Sequence, residues 1–219
     1  MVCRCCNPGR RRVVGGLLAA GLVPLAGGLV QAAPPASRMR AVKGDVRVNG
    51  KRAKEGMAVA PGDRITTGTT GQATFTLGDD GFMVRPVTQV AIADLGRDPA
   101  SGQLIRQLEL EVGGILSVFG PKQITLKTPH VNVGIRGTAA YLETDAWTTN
   151  VCVCYGHAVM VPEGAPEQTE EVRTRHHDAP RLLSLKDGKT AMEPFMVKNH
   201  TDRELVELER LFGRVPPFK

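Results

Sequence analysis

The segment Val151-Cys-Val-Cys-Tyr155 sets two thiols in alternation. On an extended strand Cys152 and Cys154 share one face while Val151 and Val153 take the other. Two residues along a strand span about 7 Å, beyond the Cα separation at which a disulfide is unstrained. The pair is better placed as two soft ligands on one edge of a metal ion, and thiolates favour zinc, copper(I) or iron. His157 follows directly after Gly156, where the chain is free to bend. His176 and His177 sit in a segment expected to return as an antiparallel strand beside the cysteines. Strand neighbours face opposite ways, so only one of these two can join the cysteine face. The expected donor set is Cys152, Cys154, His157 and one of His176 and His177.

The spacing Cys-x-Cys-x2-His-x18-His-His corresponds to no standard zinc finger. Two other readings stay open: a disulfide or redox couple formed by local kinking, and buried thiols packed as small apolar side chains. His130 and His200 read as loop and capping residues. Asp79 and Asp80, framed by Gly78 and Gly81, read as turn residues, and Asp63 as a turn carboxylate that bonds nearby backbone N–H groups. The chain has no Gly-x-Ser-x-Gly elbow, no phosphate loop with Gly-Lys-Ser/Thr and no His-Glu-x-x-His helix, so no enzyme is expected.

The elements that must position these residues are strands. From Val42 onward apolar residues alternate between glycine-rich turns, with Asn49-Gly50 marking a tight hairpin and Gly78-Asp-Asp-Gly81 joining Ala73–Leu77 to Phe82–Val84. Further short strands are expected over 87–93, 104–112, 115–119 and 124–127, with a loop over 95–103. Turn spacing of about 8–12 residues predicts an all-β fold, one β-sandwich or β-helix-like domain of short antiparallel strands. Pro162 to Gln168 reads as an acidic loop, followed by strands around 172–177 and 182–185. Near the end, Thr201-Asp-Arg-Glu204 has capping-box spacing, and Leu205, Leu208 and Phe212 make one apolar stripe. These predict a short helix over 201–212 that docks on the strands.

The start of the chain reads as an address. Arg10-Arg11-Arg12 precedes a run from Val13 to Val30 that five glycines and Pro24 dilute, with small residues at Val30-Gln31-Ala32. This describes a cleavable twin-arginine export signal over 1–32, with an uncleaved anchor as the alternative and the only expected membrane contact. Cys3, Cys5 and Cys6 would leave with it. The full chain carries 28 basic and 22 acidic residues; removing Arg4 and Arg10–Arg12 leaves 24 against 22. A near-neutral exported protein without a basic stripe is not expected to bind nucleic acid.

Three motifs occur in order: Pro61-Gly-Asp-Arg-Ile-Thr-Thr-Gly68, Gly78-Asp-Asp-Gly81 after Ala73-Thr-Phe-Thr-Leu77, and Val133-Gly-Ile-Arg-Gly-Thr138. Together they resemble the FecR domain, a β-rich module of bacterial envelope proteins. The organisation this implies is a signal over 1–32, a linker over 33–40, a FecR-like β domain over 41–161, a β extension over 162–198 and a C-terminal helix and tail over 199–219. Signalling members of that family resemble three-part proteins with a cytoplasmic sigma-factor regulator. Only nine residues precede Arg10 here, so the expectation is a stand-alone periplasmic FecR-like protein that binds an envelope protein or a glycan. The resemblance makes Arg136 a structural or interaction residue, with Gly137 in a conformation closed to larger residues. A periplasmic metal-binding or redox protein is the alternative.

Overall fold

Local turn chemistry sets the first hairpins. The computed structural model describes residues 37–96, 99–100, 106–186 and 188–218. The stretch 1–32 read as an export signal, with its three cysteines, part of the stretch read as linker and part of the 95–103 loop lie outside the described residues. Strand β1 (Arg38–Lys43) begins within the stretch read as linker. Strands β2 (Val46–Val48) and β3 (Lys51–Arg52) are joined by Asn49 and Gly50 at φ 51° and 76°. Paired positive φ values are what a two-residue hairpin turn requires. Asp63 steadies this end: its carboxylate accepts from the Ala60 N–H at 2.8 Å and from the Asn49 amide at 2.7 Å.

Eleven further strands follow. They are β4 (Arg64–Thr67), β5 (Gln72–Leu77), β6 (Asp80–Val84), β7 (Gln89–Ile92), β8 (Gln107–Val118) and β9 (Gln123–Lys127). After them come β10 (Val131–Thr144), β11 (Thr148–Pro162), β12 (Glu170–Thr174), β13 (Arg181–Lys186) and β14 (Lys189–Pro194). A single α-helix among the described residues, α1 (Asp202–Arg210), follows the strands. All strands belong to one sheet whose main path runs β14-β13-β11-β10-β9-β8-β7-β4-β2-β3. The strands β1, β5 and β6 join it through the β6–β8 pair, and β12 lies on β11.

The fold is all-β with one short helix, as the periodicity indicated. Two features depart from short antiparallel strands throughout. Strands β8, β10 and β11 run 12, 14 and 15 residues, and β8 pairs parallel with β9. Each long strand changes partners along its length. The first half of β8 pairs with β7 and the second half with β6 and β10, the change falling at Gly113. Gly113 has φ 92°, and a Cβ there would lie 2.2 Å from the Thr88 hydroxyl oxygen, so only glycine fits the bend. The sheet thereby folds over on itself. Phe75 and Phe82, stacked at 4.7 Å, share one core with Ile65, Val90, Leu108 and Ile135 from the other arm.

Asp80 departs from its reading as a turn residue. It is the first residue of β6, 1% exposed, and its carboxylate accepts from the Gly120 N–H at 2.9 Å while pairing with Arg106. Arg106 is also enclosed and donates to the Leu77 carbonyl at 2.9 Å; burial pulls its pKa below the ordinary value. The hairpin turn is one residue pair shorter than expected because this buried ion pair draws Asp80 into the ladder.

Alternation leaves a second apolar surface on the outer face of β8, β10 and β11: Leu116, Val118, Ala139, Tyr141, Cys152 and Cys154. Helix α1 covers it with Leu205 and Leu208, both 0% exposed. Nine residues make a marginal helix in water, so this burial, roughly 1.5–3 kcal/mol per leucine, is what holds it.

Candidate metal centre

Strand alternation delivers the two thiols. Val151 and Val153 enter the core between the folded arms, and Cys152 and Cys154 emerge on the outer face beneath α1, each 0% exposed. Neither is in a disulfide. Two histidines meet them. The bend after β12 carries His177 at φ 51°, anchored by a 2.9 Å hydrogen bond from its N–H to the Cys154 carbonyl. His200 comes from the residue before the helix cap, Thr201. Ligand atoms of Cys152, Cys154, His177 and His200 all lie within 4.8 Å of one another.

The separations have the dimensions of a coordination polyhedron. Cys152 Sγ lies 3.2 Å from His177 Nδ1, Cys154 Sγ 3.5 Å from His200 Nε2, and the two ring nitrogens 3.3 Å apart. A tetrahedral zinc with ordinary bonds has N···S edges of about 3.6 Å and an N···N edge of about 3.3 Å.

Outer contacts orient both rings. His200 Nδ1 bonds the Lys198 carbonyl at 2.7 Å, which makes it the N–H and leaves Nε2 bare. The same ring stacks on Tyr141 at 4.7 Å. His177 Nε2 faces Asp202 Oδ1 at 3.1 Å, which in the neutral ring places the proton there and leaves Nδ1 to face the cysteines as a ligand atom. A carboxylate or carbonyl behind each imidazole is the usual support of a metal-bound histidine.

Without a metal the same geometry stabilises a thiolate. The Cys154 thiol bonds toward Cys152, and His177 and His200 add to this against the effect of burial, drawing the Cys152 pKa down to about 4. Burial, and then the neighbouring Cys152, push Cys154 upward. Burial alone would lower the His177 pKa, but Cys152 and Asp202 outweigh it and raise it. Burial would raise that of Asp202, yet His176 and His177 hold it down. A thiolate already favoured at one ligand position is chemistry that suits cation binding.

The structure brings together three of the five residues expected from sequence. His176 stands at the rim, with Nε2 at 2.9 Å from Asp202 Oδ2, and lies on a bend rather than a strand. His157 is outside the cluster. The register of β10 and β11 slips between Arg136 and Ala139, with Gly137 at φ 57° and Gly156 at φ 95°. Beyond the slip β11 pairs with β12 in the other arm, and His157 Nε2 meets Glu171 at 2.9 Å. His200, read as a capping residue, supplies the missing donor, and Asp202 supplies the support. Spacing carried no signal for either; the apolar stripe of α1 did, because docking that stripe on the cysteine face carries the preceding residue there.

Helix α1 has other ties. Thr201 and Glu204 form the expected capping box, and Glu204 pairs with Arg85 at 2.5 Å. Burial pushes the Glu204 carboxyl up, but Arg85 and Thr201 outweigh it and hold its pKa below the ordinary value. A depressed folded-state pKa gives stabilisation that is full above the unfolded value of about 4.3 and is lost as pH falls through the folded one. Glu204→Gln should therefore cost about 1–2 kcal/mol at pH 7 and less at acid pH. Urea melts at several pH values check this; a gap independent of pH would refute it.

No family model matches the sequence, and no curated protein matches it. Two solved structures of a candidate anti-sigma factor from Parabacteroides distasonis ATCC 8503 are similar at TM-score 0.47 and 14% identity. Each match covers 60% of this chain and 59% of that one, so the chain spans less than two thirds of its length.

Proposed function

We propose that this chain is a metal-binding β protein that holds one zinc or copper(I) ion per molecule through Cys152, Cys154, His177 and His200. The observation that carries the reading is the set of four donors, from β11, the bend after β12 and the residue before the α1 cap, with ligand atoms within 4.8 Å. Four protein ligands beneath a helix leave no open position for substrate, so the centre is structural or sensory rather than catalytic. The arginines Arg10–Arg12, read as a twin-arginine signal, are compatible with this role, since that export route carries folded proteins, some of them around a cofactor. The expected result of elemental analysis on the exported protein is about one zinc or copper per chain, lost in Cys152→Ser/Cys154→Ser. Protein that takes up neither ion on reconstitution ends the reading.

A second reading is a stand-alone FecR-like module in the periplasm that binds an envelope protein or glycan. One observation favours it: Trp147, at the β10–β11 turn, is 71% exposed, beside Leu185 at 46%. An exposed indole on a rigid hairpin is a platform for stacking. Trp147 is the chain's sole tryptophan, so its emission reports this surface alone. Emission unmoved by envelope glycan fragments, with no partner crosslinked, would count against that reading.

A further inference from the structure

His200 and Asp202 stand on either side of the helix cap, one as a donor and the other as the carboxylate behind His177. The other three donors belong to the β domain. The centre therefore joins α1 to the sheet at one point, beside the outer face that α1 covers. We propose that the metal ion is the latch of this helix: occupancy of the centre sets how firmly α1 stays on the outer face of β8, β10 and β11. This rests on the metal-binding reading above.

The segment leading to His200 is weakly tied by itself. Met196 is 67% exposed and Val197 41%, and the contacts of Lys198 and Asn199 to Glu143 lie near the surface. With His200 Nδ1 spent on Lys198 and His177 Nε2 on Asp202, the two facing ring nitrogens have only each other and the two sulfurs as partners in the metal-free protein. Sulfur is a weak hydrogen-bonding partner. A metal ion satisfies all four atoms at once, and only when α1 is docked; with the helix away, three donors remain. A ligand shifts an equilibrium by its difference in affinity for the two states, and here the difference is one imidazole ligand. Opposing release are contacts that do not involve the metal: Leu205 and Leu208 on the outer face, the Arg85–Glu204 pair, Glu209 bonded to Tyr155, and Arg214 donating to the Asp79 carbonyl. The metal-free helix therefore opens more often without leaving for good.

What opens is chemically distinct from the rest of the surface. It uncovers Leu116, Val118 and Tyr141 together with both cysteines. Loss of the ion thus converts a closed apolar face into an accessible one, which is how metal occupancy would be read by whatever meets this protein.

Hydrogen exchange on the full chain, zinc-loaded and chelator-stripped, tests the latch, with zinc measured in the same samples. The expected result is exchange of the α1 amides faster by roughly ten-fold or more without zinc, while those of β8 and β10 keep their protection. Equal exchange of α1 in the two samples, with one zinc bound in the loaded one, overturns the latch and leaves the metal reading standing. A loaded sample that holds no zinc, and no copper when reconstituted with copper(I) instead, overturns both. In His200→Ala the α1 amides should exchange fast whether or not zinc is added. Slow exchange there, with the strands protected, also overturns the latch.

Discussion

Zinc at a thousandfold excess over its dissociation constant is expected to raise the melting temperature by about 8–16 °C. A ligand that binds only the folded state stabilises by about 4 kcal/mol at that excess, and a domain of this size gains about 2–4 °C per kcal/mol. The condition is met because the four donors converge only in the folded chain. Cys152 and Cys154 are near in sequence, but His177 and His200 reach them through the β12 bend and the docking of α1. The Cys152→Ser/Cys154→Ser variant should melt at one temperature with or without zinc. Calorimetry of both proteins checks this, and a wild-type midpoint that neither zinc nor copper(I) raises would remove the centre from consideration. Because ligands must shed protons, the zinc-dependent gain should shrink in acid.

Replacing Asp80 by Asn should cost about 3–5 kcal/mol, the usual penalty for leaving the partner of a buried ion pair uncompensated. Asp80 is 1% exposed and the Arg106 side chain 8%, so Arg106 has little water to turn to. The amide keeps the size of the carboxylate and still offers an oxygen to the Gly120 N–H, which isolates the lost charge. Chemical denaturation measures the cost. The double variant Asp80→Asn/Arg106→Met should recover much of it, since no buried charge is then left alone. A single variant within about 1 kcal/mol of wild type would show that the pair is not needed to hold the β5–β6 hairpin against the start of β8.

Local chemistry was legible in the sequence because it acts over a few residues. Asn49-Gly50 could form a two-residue turn unaided, and Asp63 could bond backbone beside it. Thr201 and Glu204 form their capping box within one helical turn. Period two along Val151–Tyr155 put both thiols on one face before any partner strand was known, and the apolar stripe of Leu205 and Leu208 required something to cover it. The all-β class follows from the same short-range signals.

Tertiary structure decided the rest. Whether His157 or His200 joins the cysteines depends on a register slip at Gly137 and Gly156, which passes the end of β11 to the other arm of the sheet. Asp80 looks like a turn residue until Arg106, 26 positions away, is enclosed with it. The long bent strands owe their shape to pairings with partners far along the chain, and Gly113 permits a bend without specifying what it packs against. By itself the sequence determined which residues could ligate, turn or cap. Which of them meet was set by strand register and helix docking, because those are fixed by the burial of distant apolar side chains and not by neighbours along the chain.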